Sequence, residues 1–139
     1  MAMRVKISIT DRQRILDHAG SSRDEVCGLL LGKGDDQGGR VTAVRPCANV
    51  SDTPARRFEL DPAALIGAWR AARGGGPRVI GLYHSHPTGD PQPSITDARE
   101  APADGAIWMI ASGGEIAAWR AVEHGRVHGR FEPVELVVT

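Results

Sequence analysis

Two histidines, His84 and His86, stand two residues apart at the end of an apolar run, Val79-Ile80-Gly81-Leu82-Tyr83. In a strand, residues i and i+2 point to one face, so both imidazoles can reach a single ion while Ser85 points away. A loop with three prolines, Pro87 to Pro93, carries the chain to Ser94-Ile95-Thr96-Asp97. Asp97 falls in the first turn of the helix that this run opens and can close back on the histidines. Two imidazoles and one carboxylate suit zinc and leave a fourth position for water. Structural zinc sites usually fill all four positions with protein, so the pattern points to catalysis. Zinc brings the pKa of bound water to about 7, and a nearby carboxylate can take its proton and hand it to a leaving amine. Glu25 is the first choice for that carboxylate, at the start of the apolar run 25–31. By spacing alone, Glu59, Asp61, Asp90 and Glu100 remain rivals. Taken alone, each piece has a plainer reading. An isolated His-x-His is two polar residues on a strand leaving the core, and S-x-x-D is an ordinary helix capping box.

The elements that must position these groups follow from periodicity. Met3 to Ile9 alternates apolar and polar residues, as a half-buried strand does. Thr10-Asp11-Arg12-Gln13 reads as a capping box opening a helix with Ile15, Leu16 and Ala19 on one face and a stop at Gly20. Residues 26–31 read as a buried central strand, residues 32–40 as a turn, and residues 41–46 as the returning strand of a hairpin. Residues 49–57 are polar and loop-like, and residues 58–60 read as a short strand. Asp61 before Pro62 caps a second helix, with Leu65, Ile66, Trp69 and Ala72 on its apolar face. Residues 78–86 form the histidine strand, and Ser94 opens a third helix. Residues 106–111 and 115–122 read as a hairpin around Ser112-Gly113-Gly114, and residues 127–138 supply a last strand or two. The expected fold class is α/β, a mixed twisted sheet flanked by helices in a single domain over residues 1–139.

Composition narrows the function. The chain has 139 residues, 41% hydrophobic and 24% charged, enough for one compact core. Its 17 basic and 17 acidic residues cancel, and no basic stripe of the kind that binds nucleic acid stands out. No apolar stretch is long enough to span a membrane, and no signal peptide is visible. Two cysteines, Cys27 and Cys47, are too few for a disulfide scaffold, so a cytoplasmic setting is expected. Cys27 reads as a small buried hydrophobe. Trp69, Trp108 and Trp119 read as core, and His18, His124 and His128 as surface.

The run His84-Ser85-His86-Pro87, six residues, Ser94, two residues and Asp97 resembles the JAMM motif of the MPN-plus zinc metalloproteases. The upstream segment DEVCGLLLG resembles that family's glutamate strand and points to Glu25. RFELDP, residues 57–62, resembles the stretch before the second helix in short bacterial members. The resemblance extends from Val5 to about Trp119. It implies the MPN fold, related to cytidine deaminases, with one Zn²⁺ held by His84, His86 and Asp97. It further implies Glu25 as general acid/base on the metal's water and Ser94 as a partner to that water or to the oxyanion. The implied activity is that of a peptidase or isopeptidase acting at the C-terminal Gly-Gly tail of a ubiquitin-like or sulfur-carrier protein. Such a tail would add as a strand to a sheet edge near the metal. The long insertions of deubiquitinating members are absent, which favours a minimal prokaryotic type. The competing readings are a metal-free MPN scaffold, which would normally have lost ligands, and an iron oxygenase, whose triad has the opposite spacing. A phosphoesterase would want more carboxylates. A homodimer through the terminal strands is open.

Overall fold

A computed structural model describes residues 3–139. Ten elements follow one another: β1 (Arg4–Ile7), α1 (Ile9–Gly20), β2 (Cys27–Asp35), β3 (Gly38–Cys47), α2 (Pro62–Arg73), β4 (Arg78–Ser85), α3 (Ile95–Glu100), β5 (Ile107–Ser112), β6 (Glu115–Gly125) and β7 (Gly129–Val138). The seven strands make one mixed sheet, in the order β1-β3-β2-β4-β5-β6-β7, that closes into a barrel. The α/β expectation holds. Closure was not anticipated, and it comes from β1, which pairs parallel with β3 on one side and with β7 on the other. The terminal strands are thereby paired within the chain and do not offer themselves to a second copy.

The alternation in β1 buries Val5 and Ile7 and exposes Arg4 and Lys6. The first helix starts two residues earlier than its sequence suggests. Ser8, not Thr10, is the cap, with its Oγ accepting from Asp11 N at 3.0 Å. β2 and β3 run on through most of the expected turn and leave only Asp36 and Gln37 between them. Glycine is required at Gly38, where φ is 130° and a Cβ would lie 1.8 Å from the Arg4 carbonyl of β1. Residues 58–60 form no strand; Leu60 makes a single bridge to Asn49.

Asp61 caps α2 as expected, its Oδ1 accepting from Ala63 N at 3.0 Å. The buried face of α2 is turned from the expected one. Ala68 is buried with Ala64, Leu65 and Ala72 beside it, while Ile66 and Trp69 are 45% and 52% exposed. The alanine stripe lets the helix lie close to the sheet, and that leaves the bulky residues outside. Trp108 and Trp119 are core, as expected.

Alternate residues of β5 serve opposite faces. Ile107, Met109 and Ala111 join Val5, Ile7, Leu30, Tyr83 and the α1 residue Ile15. Trp108 and Ile110 join Cys27, Phe58, Trp119 and Phe131. The histidines belong to this second face. β4 lies between β2 and β5, and its register sets Cys27 opposite His84.

Candidate metal centre

Each side chain of the site has an identifiable support. His84 is the next-to-last residue of β4 and is fully buried, its ring stacked on Phe58 with centroids 4.3 Å apart and set edge-on to Trp108 at 5.5 Å. Ser85, buried between the two histidines, accepts from Val26 N through its Oγ at 2.9 Å, and its own N–H donates to the Val26 carbonyl at 3.0 Å. These two bonds dock the residue after Glu25 onto the histidine strand. His86 has left the ladder, but its N–H donates to the Ala111 carbonyl and its carbonyl accepts from Ser112 Oγ. Its Nδ1 lies 3.0 Å from the Asp90 carbonyl, which leaves Nε2 to face the site. Asp97 sits at N3 of α3. The capping box is complete: Ser94 Oγ accepts from Asp97 N and Ser94 N donates to Asp97 Oδ2, both at 3.0 Å.

These supports converge. His84 Nε2, His86 Nε2 and Asp97 Oδ2 form a triangle with edges of 3.2, 3.2 and 3.1 Å. Donors about 2.0 to 2.1 Å from a tetrahedral zinc stand roughly 3.3 Å from one another, so the three atoms have the spacing of one face of a zinc tetrahedron. Glu25 completes the group, with one ligand atom from each of the four residues within 4.8 Å of the others. It is 6% exposed, and its Oε1 has no hydrogen-bond partner among the described residues. A buried carboxylate oxygen without a partner is costly unless something else comes to it. Two imidazole nitrogens, a carboxylate oxygen and an unpaired second carboxylate therefore fit a zinc ion.

The titration of these groups follows their surroundings. Burial raises the pKa of Glu25 from 4.5 to about 7, with Asp97 and Glu100 adding to the rise and His86 opposing it. Burial holds His84 below its ordinary value, in the neutral form a metal needs. Burial would also lower His86, but its bonds to Asp97 and the Asp90 carbonyl carry it above the ordinary value. Burial would raise Asp97, but hydrogen bonds from His84 and His86 hold its carboxyl far below the usual range.

The rivals of Glu25 are placed elsewhere. Glu59 is exposed, Asp61 caps α2, Asp90 offers only its carbonyl, and Glu100 pairs with Arg57 at 2.8 Å. Of the remaining histidines, His124 and His128 are exposed, but His18 is half-buried, with Nδ1 2.6 Å from the Tyr83 hydroxyl. Two residues of the site's surroundings were not singled out from sequence. Phe58 supplies the ring under His84. Asn49 ties the polar loop together, donating from Nδ2 to the carbonyls of Glu25 and Arg57 and accepting at Oδ1 from the N–H groups of Ser51 and Glu59. The only signals were the aromatic within RFELDP and an asparagine at the head of a loop.

Residues 11–122 match the family described as prokaryotic homologs of the JAB domain. A desampylase of Haloferax volcanii is 39% identical over 114 residues, covering 78% of this chain and 81% of that protein. A desampylase of Pyrococcus furiosus is 35% identical over 114 residues, covering 81% of this chain and 78% of the other. Among solved structures, protein DSY2949 of Desulfitobacterium hafniense superposes with a TM-score of 0.82 at 25% identity, over 97% of this chain and 92% of its own.

Proposed function

The chain belongs to the prokaryotic JAB-domain family, and from that premise we propose that it is a zinc isopeptidase that cuts after the Gly-Gly tail of a ubiquitin-like or sulfur-carrier protein. The observation that carries the reading is the triangle of His84, His86 and Asp97 with the unpaired carboxylate of Glu25 beside it. His84, His86 and Asp97 hold the metal. When bound, zinc lowers the pKa of water to about 7 and polarises the scissile carbonyl. Glu25 takes a proton from the attacking water and returns it to the leaving amine; a carboxyl with a pKa of about 7 suits both steps. Ser94 Oγ uses one of its two lone pairs to accept from the Asp97 N–H, which leaves its hydroxyl proton to point at the developing oxyanion.

The substrate class rests on the relatives named desampylase and on the sheet edge. β1 covers only Gly38–Arg40 of β3, so the outer edge of β3 from Val41 to Cys47 is unpaired among the described residues. That edge ends at Cys47, opposite Cys27 and with β2 between it and His84, where an extended tail can add as a strand. Among the described residues no helix is long and apolar enough to cross a membrane.

The test combines metal analysis with cleavage. The purified protein should hold one zinc per chain and release the extension from a carrier extended past its Gly-Gly end. Glu25→Ala should keep the zinc and lose the cleavage. A protein without stoichiometric zinc, or a Glu25→Ala variant with undiminished cleavage, overturns the reading.

A further inference from the structure

Glu25 lies two residues before β2 begins, so no strand ladder holds its backbone. The polar loop holds it instead. Its carbonyl accepts from Asn49 Nδ2 at 2.8 Å and its N–H donates to the Pro54 carbonyl at 2.8 Å. Asn49 is saturated in this role. A carboxamide has two N–H donors and two acceptor sites, and here all four are used, each on a backbone group: Glu25 and Arg57 carbonyls at 2.8 and 3.1 Å, Ser51 and Glu59 N–H groups both at 3.0 Å. The same loop ends in Phe58, whose ring lies on His84. One segment therefore grips the base through its backbone and a metal-side histidine through its ring.

We infer that Asn49 is the positioning residue for Glu25: its carboxamide fixes the backbone from which the carboxylate reaches the water. The inference rests on the role given to Glu25 above. A glutamate has three side-chain torsions, and the carboxylate keeps its place only if its backbone does. Displacing a reacting group by about 1 Å costs on the order of 100-fold in rate.

Asn49→Asp is the discriminating variant. It keeps the oxygen that accepts from Ser51 and Glu59, and so keeps the loop's turn, but it loses both donations and sets a carboxylate against the Glu25 carbonyl. It should retain zinc, change KM little, and lower kcat by ~10- to 100-fold. Asn49→Ala should do the same with a lower melting temperature. Added to Glu25→Gln, either substitution should cost no further rate, because the group it positions is already disabled. In the metal-free protein, amide exchange should accelerate at Glu25 in Asn49→Asp, stay slow at Ser51 and Glu59, and stay unchanged at Leu30 in the core. A kcat within twofold of the wild type, rate losses that multiply with Glu25→Gln, or a Glu25 amide that remains protected would overturn the inference. If Glu25→Gln itself turns over at the wild-type rate, the assignment of Glu25 as base falls, while the exchange at its amide still decides whether Asn49 holds it.

Discussion

Replacing Glu25 by glutamine should inactivate the enzyme and at the same time stabilise the metal-free protein, by an amount that grows with pH. Glu25 is 6% exposed, its Oε1 has no partner among the described residues, and burial raises its pKa from 4.5 to about 7. Well below pH 4.5 the carboxyl is neutral in both the folded and the unfolded chain, and it costs the fold little. Between 4.5 and about 7 the unfolded chain releases the proton while the fold keeps it, so wild-type stability falls as pH rises. Above about 7 the loss is complete. At about 1.4 kcal/mol per pH interval of one, the full span sets a ceiling of about 3 kcal/mol. Water reaching the open side of the site screens part of this, so about 2 kcal/mol is expected. Glutamine has nearly the same shape and does not titrate. The difference in stability between Glu25→Gln and wild type should therefore rise from near zero at pH 4.5 to about 2 kcal/mol at pH 8. Because the variant shares His84, His86 and Asp97 with the wild type, the comparison largely cancels their own titrations. Urea unfolding in the presence of a chelator, at both pH values, measures it. A difference that stays flat, or that shrinks with pH, refutes the account of Glu25 as a buried acid.

Three further outcomes are expected. Lys6, Arg40 and Lys33 stand directly opposite one another across β1, β3 and β2, all exposed; Arg40→Glu should raise stability by about 1 kcal/mol at low salt, and a thermal melt that shows no gain, or a gain undiminished by added salt, contradicts this. A Cβ at Gly28 would lie 2.2 Å from the Tyr83 ring and 2.6 Å from the Arg45 carbonyl, so Gly28→Ala should cost about 3 kcal/mol or prevent folding; a urea midpoint equal to the wild type is the contrary result. Cys27 is fully buried and its thiol is pushed up to about 12 by that burial; iodoacetamide at pH 8 should modify at most one thiol in the native protein, Cys47, and two after denaturation, as read by mass spectrometry.

What the sequence discloses of the site depends on how local each feature is. His-x-His at a strand end and Ser-x-x-Asp at a helix start are short-range patterns, so three of the four converging residues can be found by spacing. Glu25 cannot: it meets the histidines only because β2 pairs with β4 and Cys27 falls opposite His84, a register between residues 57 apart in sequence. Only family resemblance singles it out. The same holds for the fold. Strands and helices follow from periodicity, but barrel closure joins Arg4 to Glu135, and nothing near either residue announces it. The turned face of α2 has another cause. Hydrophobicity ranks Ile66 and Trp69 above alanine, while close helix-on-sheet contact selects Ala68 and leaves the larger residues exposed.

The third helix and the candidate metal centre stand or fall together. α3 has six residues, far fewer than the ~12 to 15 needed for an isolated helix to persist. Its start is secured by the capping box, in which Asp97 Oδ2 accepts from the Ser94 N–H. That same oxygen is the atom that lies 3.2 and 3.1 Å from the two imidazoles. Removing the carboxylate therefore removes a proposed metal ligand and half of the cap at once. Removing the Ser94 hydroxyl frees the Asp97 N–H and loosens the turn that aims the carboxylate. A catalytic role for Ser94 and a structural one cannot be separated by deleting its side chain. Threonine keeps the capping oxygen and the hydroxyl proton but adds a methyl group, so Ser94→Thr changes the aim of the proton while leaving the cap in place.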